Sequence, residues 1–408
     1  MRIDIKKNKY LIYTVLALCI AIPFILIHAH ESSLAKVQPA AKDGLLDLTA
    51  WDFEKDGILS LDGEWEFYWN RLLTYDDFHD TAEGIQPDAY VSVPDVWNNY
   101  HINEKSLPGA GCATYRLKIK STDAGTEKGL KIANMSTAYK LMVDNETVAS
   151  NGVVSGVSEE AKAEYKPQAV IFKNASGDYE IIVQVSNYIY ARGGMWYSVY
   201  MGTGQQIVNM KENASRREMF IFGGIIMMML YHLANYIFLR KNISILYYVL
   251  MMLIIAVRIP VTGEYLISDV FRLSGIRPLV VIEYLTICWA PVTWLLFLNR
   301  FYPEEISKKI VNISVYASVV LTVFTVFSPV RIFTSFLLVY ELMVVVLFVY
   351  ALLRFIAAVS RRREGVALML LATAAFFATF VNDALYQANI ISSTTGGIFG
   401  YSAFVIIF

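Results

Sequence analysis

The chain has 408 residues and a formal net charge of −1, from 35 Lys and Arg against 36 Asp and Glu. Hydrophobic residues make up 56% and charged ones 17%, at a mean hydropathy of +0.44, which excludes an ordinary soluble domain. The basic residues form no long stripe interleaved with aromatics, so no nucleic-acid partner is expected.

At the N-terminus Arg2, Lys6, Lys7 and Lys9 precede an apolar run from Tyr10 to Ala29. This layout predicts a signal peptide or an uncleaved signal anchor over residues 1–30, and both alternatives stay open. In either case positive charge stays in the cytoplasm, so residues 36–217 are expected outside.

Residues 31–217 then change character. Glu64–Trp69, Thr114–Ile119 and Glu180–Val185 alternate polar and apolar positions, the mark of strands with one buried face. Turn signals such as Asp62-Gly63, Asp144-Asn145, Asn151-Gly152 and Gly193-Gly194 separate them. Many short strands without intervening helices predict a β-sandwich or jelly roll. Cys112 is the one cysteine of this polar region, so no intrachain disulfide is expected there. Leu61–Trp65, Val93–Trp97, Gly109–Arg116 and Val143–Asn145 follow in an order that resembles the sugar-binding jelly roll of β-galactosidase-like glycosidases. That resemblance implies a binding fold. It does not imply hydrolysis, because the catalytic barrel of those enzymes has no counterpart in the sequence.

From Glu218 onward apolar runs follow closely: 218–238, 245–263, 276–298, 310–328, 333–357, 366–386 and one from Gly396. A bilayer core about 30 Å thick needs about 20 apolar residues at about 1.5 Å each, and six runs meet that length. The seventh is still apolar at Phe408, so the expected fold is a multi-domain membrane protein: signal or anchor helix, extracellular β-sandwich, then a seven-helix bundle over 218–408 with its last helix incomplete. Arg240, Lys241, Arg300, Lys308, Lys309, Arg354, Arg361, Arg362 and Arg363 then fall in cytoplasmic loops, against Arg272, Arg277 and Arg331 outside. Met210 to Glu218 is expected as a short polar join between the two parts.

In the bundle, Arg258–Glu264, Ile282–Leu285, Phe301–Glu305, Pro329–Phe333, Arg363–Gly365 and Val381–Tyr386 resemble the bacterial seven-transmembrane receptors with diverse intracellular signalling modules. The resemblance implies a sensor in the plasma membrane that passes an external signal, a carbohydrate or other small molecule, to a cytoplasmic module. That module, in cis or on a partner protein, is missing from this chain, and homodimerisation is an open alternative. No enzyme activity, cofactor or metal is implied. The competing function is a transporter or permease, which predicts internal repeats and paired broken helices.

Ionisable residues inside spans are costly and mark function or pairing. Arg258, Glu264, Glu283, Glu341 and Asp383 all map to the outer half of the bilayer and are expected to line a cavity. Against this, Arg258, Glu264 and Asp383 also read as residues snorkelling to the interface. Glu341 is the deepest, and Arg258 is its expected partner with Glu283 competing. In the outer domain Trp196, with Tyr190 and Arg192 nearby, is the expected ligand contact. Trp97 is a weaker candidate, because aromatics at strand positions are usually core.

Overall fold

The computed structural model describes residues 38–80, 84–173, 177–239, 242–270, 275–361 and 365–387. The N-terminal run and the seventh apolar run lie outside the described residues.

Two sheets form the first domain. The larger contains β1 (Leu45–Asp47), β3 (Gly63–Trp69), β4 (Ala89–Val93), β5 (Gly111–Lys120), β7 (Ala138–Val143), β8 (Glu146–Asn151) and β10 (Tyr179–Asn187). Its order is β8-β7-β10-β5-β3-β4, with β1 parallel to β5. The smaller sheet runs β9-β6-β11-β2, from Gln168–Lys173, Glu127–Ile132, Tyr200–Thr203 and Leu59–Ser60. β10 and β5 are neighbours at the centre although far apart in sequence. The result is a jelly-roll-like sandwich.

Alternation explains the packing. Trp65 and Phe67 of β3 meet Tyr115, Leu117, Leu130, Phe172 and Met201 between the sheets, all within one buried core. The intervening Glu66 and Tyr68 face the other way and are also buried, because a short helix (Tyr75–His79) covers that face. There Arg116 Nε donates to Glu180 at 2.6 Å while its guanidinium lies 4.2 Å from the Phe78 ring centre. Arg116 also lies 3.5 Å from Glu66, so one guanidinium faces both buried carboxylates.

Among the described residues six long helices follow, besides short ones at Leu266–Val270 and Val330–Ser335: α1 (Gly204–Leu239), α2 (Ile243–Arg258), α3 (Arg277–Phe301), α4 (Lys308–Phe327), α5 (Leu337–Ser360) and α6 (Val366–Gln387). The first five are long and apolar enough to span a membrane, and the apolar core of α6 is shorter. The chain is therefore a multi-pass membrane protein. Phe220 and Phe238 of α1 and Phe327 of α4 are at least 80% exposed, as lipid-facing side chains should be. α3 packs against α2, α4 and α5. Its Ser and Thr neighbours are bonded locally; Thr293 Oγ1, for example, donates to the Trp289 carbonyl at 2.9 Å.

The join differs from its expected form. Residues 210–218 are the middle of one helix, since nothing between Gln205 and Phe222 is Gly or Pro. Thirty-six residues at about 1.5 Å each give a rod of about 54 Å, so about 24 Å stands clear of a 30 Å bilayer core. That free part is welded to the small sheet. Gln206 Nε2 donates to the Phe53 carbonyl at 2.7 Å, and Gly129 of β6 lets Ile207 approach. A Cβ at Gly129 would lie 2.8 Å from Ile207 Cβ. Gly129→Val is expected to push α1 off the sheet and destabilise the weld by about 1–3 kcal/mol, read as faster hydrogen exchange in 204–212. Wild-type exchange there would show that the weld tolerates the strain.

Candidate functional site at the domain junction

The loop from Tyr188 to Tyr197 leaves β10 and enters the near end of the helical bundle. Its shape is set from beneath. Asn187 Nδ2 donates to the carbonyls of Gly109 (2.7 Å) and Tyr190 (2.9 Å), and Gly193 N–H donates to Asn98 Oδ1 at 3.1 Å. Gly193 is required: a Cβ there would lie 2.2 Å from the Trp97 ring. Trp97 itself is fully enclosed, edge-on to Trp69 at 5.2 Å, with Nε1 donating to the Pro108 carbonyl at 3.0 Å. It has no free face for a ligand and serves as the floor of the loop.

Held this way, the loop reaches the helices. Tyr190 Oη lies 3.2 Å from Tyr284 Oη of α3, and Ala191 N–H donates to Thr334 Oγ1 at 3.1 Å. Tyr284 in turn packs edge-on against Phe333 and Tyr340 at 5.1 and 4.9 Å. Trp196 stands edge-on to Tyr190 at 4.9 Å and packs on the bundle core while half-buried. Arg192 lies beside the Tyr190 hydroxyl. Thus two of the residues expected to meet an external ligand, Trp196 and Tyr190, meet the helices.

A second strut stands beside the loop. Lys131 of β6 forms an ion pair with Glu264, both side chains largely enclosed, and Glu264 N–H donates to Glu218 Oε1 of α1 at 3.0 Å. Gly263, at φ 64°, makes room for Glu218: a Cβ there would fall 2.2 Å from its carboxylate. Tyr165, between β8 and β9, stands edge-on to Tyr265 at 5.5 Å, and its carbonyl accepts from Ser268 Oγ. Tyr165 and Tyr190 belong to the same buried core as the helices. Burial, with the Glu283 charge next, pushes the Tyr190 hydroxyl up to about 12. Burial also raises Tyr165 and Tyr265 far above the ordinary phenol range, with Tyr190 and Glu283 respectively the next causes.

The expected intramembrane cluster is rearranged. Arg258 NH1 donates to the Glu283 carbonyl (3.4 Å) and to Thr286 Oγ1 (3.2 Å) on α3. Neither contact is with Glu341, the expected partner of Arg258. Glu264 leaves the bundle cluster for Lys131. The side chain of Asp383 lies outside the described residues. Lys131, Tyr165 and Thr334 were not singled out by the sequence, whereas Tyr284 lies in the Ile282–Leu285 motif and Glu218 opens the first apolar run. Among the described residues no group of three His, Cys, Asp or Glu could hold a metal.

At the far end of the bundle the loop after α3 folds under α5. The Glu305 side chain is fully enclosed, with Arg354 at 3.6 Å and Arg361 at 3.5 Å. Arg354 Nε donates to the Glu305 carbonyl at 2.6 Å, and Tyr350 Oη accepts from Ser307 N–H at 2.8 Å.

A jelly-roll-like sandwich is thus joined to one end of a multi-pass helical bundle. Residues 217–408 match the model of the family described as 7TM diverse intracellular signalling. No curated protein matches the chain. Among solved structures the chain is similar to a GH2 beta-galacturonidase from Eisenbergiella tayi bound to galacturonate, at 19% identity over 36% of this chain and 24% of that one (TM-score 0.25). It is also similar to Ruminococcus gnavus beta-glucuronidase (14% identity, 35% and 27% covered, TM-score 0.25). A third is the beta-glucuronidase of an uncultured Clostridium sp. (12%, 35% and 28%, TM-score 0.26). The chain spans about a quarter of the length of these enzymes.

Proposed function

We propose that this protein is a plasma-membrane receptor. Its extracellular sandwich senses a small molecule, with carbohydrate as the class the sequence motifs favour. The bundle relays the signal to a cytoplasmic signalling module in cis or on a partner protein. The observation that carries this reading is the Tyr190–Tyr284 contact, where a sandwich loop is seated in the core of the helices. A transporter would need helices broken near the midplane, and the five long helices described run unbroken.

The relay is testable without a ligand. An Ala191→Cys, Thr334→Cys disulfide would pin the loop to the bundle. Oxidation is expected to slow hydrogen exchange at the near ends of α3 and α5 and to change it in 302–307 at the far end, reversibly on reduction. Changes confined to residues 188–197 would mean that the sandwich and the far end are not coupled.

A further inference from the structure

We propose that the junction senses acidity on the sandwich side of the membrane: Glu218 and Glu264 hold one proton between them, and its loss loosens the contact between sandwich and bundle. This rests on the receptor reading above and adds to it a second input, the proton. The charged groups come from three elements. Lys131 stands on β6, Glu218 on α1 and Glu264 on the turn after α2. Lys131 pairs with Glu264, and Glu264 N–H donates to Glu218 Oε1 at 3.0 Å. The second oxygen of each carboxyl group, Glu218 Oε2 and Glu264 Oε2, is buried without a hydrogen-bond partner. Buried polar atoms are paired in the great majority of native structures, so two orphans on residues in contact point to a missing donor. A proton on either carboxyl group supplies one, turning an orphan acceptor into a donor.

Charge balance requires the same proton. Two ionised carboxylates against one ammonium leave an uncompensated negative charge in an enclosed contact, and one bound proton removes it. Glu218 is the group that keeps it, because Glu264 has the ammonium while Glu218 has a main-chain N–H. A metal cation fits poorly, since Lys131 already occupies Glu264. The charged groups that act on Glu218 are Lys131 from β6, Glu264 from the turn and Arg217 from α1 itself. Burial, with the Glu264 charge adding to it, pushes the Glu218 carboxyl up to about 7 against the pull of Lys131 and Arg217. Glu218 is the fifteenth residue of α1, in the part that stands clear of the bilayer core, and it keeps some accessible surface for protons to reach. Gly263 lets its carboxyl group lie directly on the turn, so repulsion between the two carboxylates acts between α1 and the α2–α3 segment. The closed junction binds the proton more tightly than the open one, so acid closes it. From the ordinary glutamate value of 4.5 up to about 7, opening grows by up to about tenfold per pH unit, and above that it levels off.

The test uses the chain in lipid nanodiscs. Protection factors, which are corrected for the intrinsic pH dependence of hydrogen exchange, are followed at 128–132 and 262–268 from about pH 5 to about pH 8. In wild type they are expected to fall by about tenfold or more up to pH 7 and then to level off. Glu218→Gln, a neutral mimic of the protonated group, should hold them within about twofold across the range. An equal fall in Glu218→Gln, or no fall in wild type, would overturn the site. Should Glu218→Gln fail to fold, pH-difference infrared spectra of wild type decide: the carbonyl stretch of a protonated carboxyl group is expected to vanish near pH 7, and its absence would overturn the site. Protection at 302–307 should change over the same pH range in wild type, and a response confined to the junction would overturn the sensing. The disulfide experiment above reads the relay at constant pH, so a failure of the receptor reading is distinguishable from a failure of the proton site.

Discussion

Lys131→Met is expected to open the junction, at a cost of about 3 kcal/mol. The Lys131 and Glu264 side chains are only 13% and 8% exposed, so removing the lysine leaves a carboxylate enclosed. Breaking a buried pair by deleting one partner costs about 3–5 kcal/mol, far more than the pair adds over an apolar substitute. Here the loss is aggravated, because Glu218 lies against the Glu264 backbone and adds a second enclosed carboxyl group. The low end of the range is chosen because the site borders solvent. Hydrogen exchange in residues 128–132 and 262–268 should rise together in Lys131→Met. The Lys131→Glu, Glu264→Lys swap should recover part of the loss, since the transposed ammonium would face both the transposed carboxylate and Glu218. Strict additivity of the two single changes would show that the pair does not clamp the domains.

At the opposite end, Arg354→Met is expected to release the loop between α3 and α4. Glu305 has a fully enclosed carboxylate, and Arg354 supplies both an ionic contact and two main-chain hydrogen bonds to Glu305 and Glu304. Arg361 stays at 3.5 Å but is 60% exposed and holds only one carboxylate oxygen. Arg354 is itself 39% exposed, so solvent screens part of its effect and the expected cost falls to about 2 kcal/mol. Arg354→Lys should lose an intermediate amount, because an ammonium keeps the charge but not the planar fork. Exchange of the Glu305 and Ile306 amides is the direct readout. α5 carries Tyr340 against Tyr284 and Arg354 fourteen residues further on, about 21 Å away. One helix therefore links the tyrosine that the entering loop meets with the loop under the bundle. Unchanged exchange in Arg354→Met would show that this contact does not hold the far end.

The sequence alone determined the elements. Lipid leaves a backbone no partner but itself, so each span had to show about 20 apolar residues, and the expected boundaries of α3 and α5 fall within four residues of those observed. Strands buried on one face had to alternate, and Glu64–Trp69 and Glu180–Val185 both lie inside strands as expected. The helical form of the join also had a signal, since an uninterrupted polar stretch without Gly or Pro allows the helix that forms there. Tertiary structure alone decided who meets whom. Trp97 and Trp196 are the same residue type, yet one is floor and the other contact, because only the fold places Gly193 over the first. Glu341 required a cation, and the sequence offered Arg258 by depth in the membrane. Arg258 reaches instead the Glu283 carbonyl and Thr286 Oγ1, because the packing of α2 on α3 sets which groups lie within its reach.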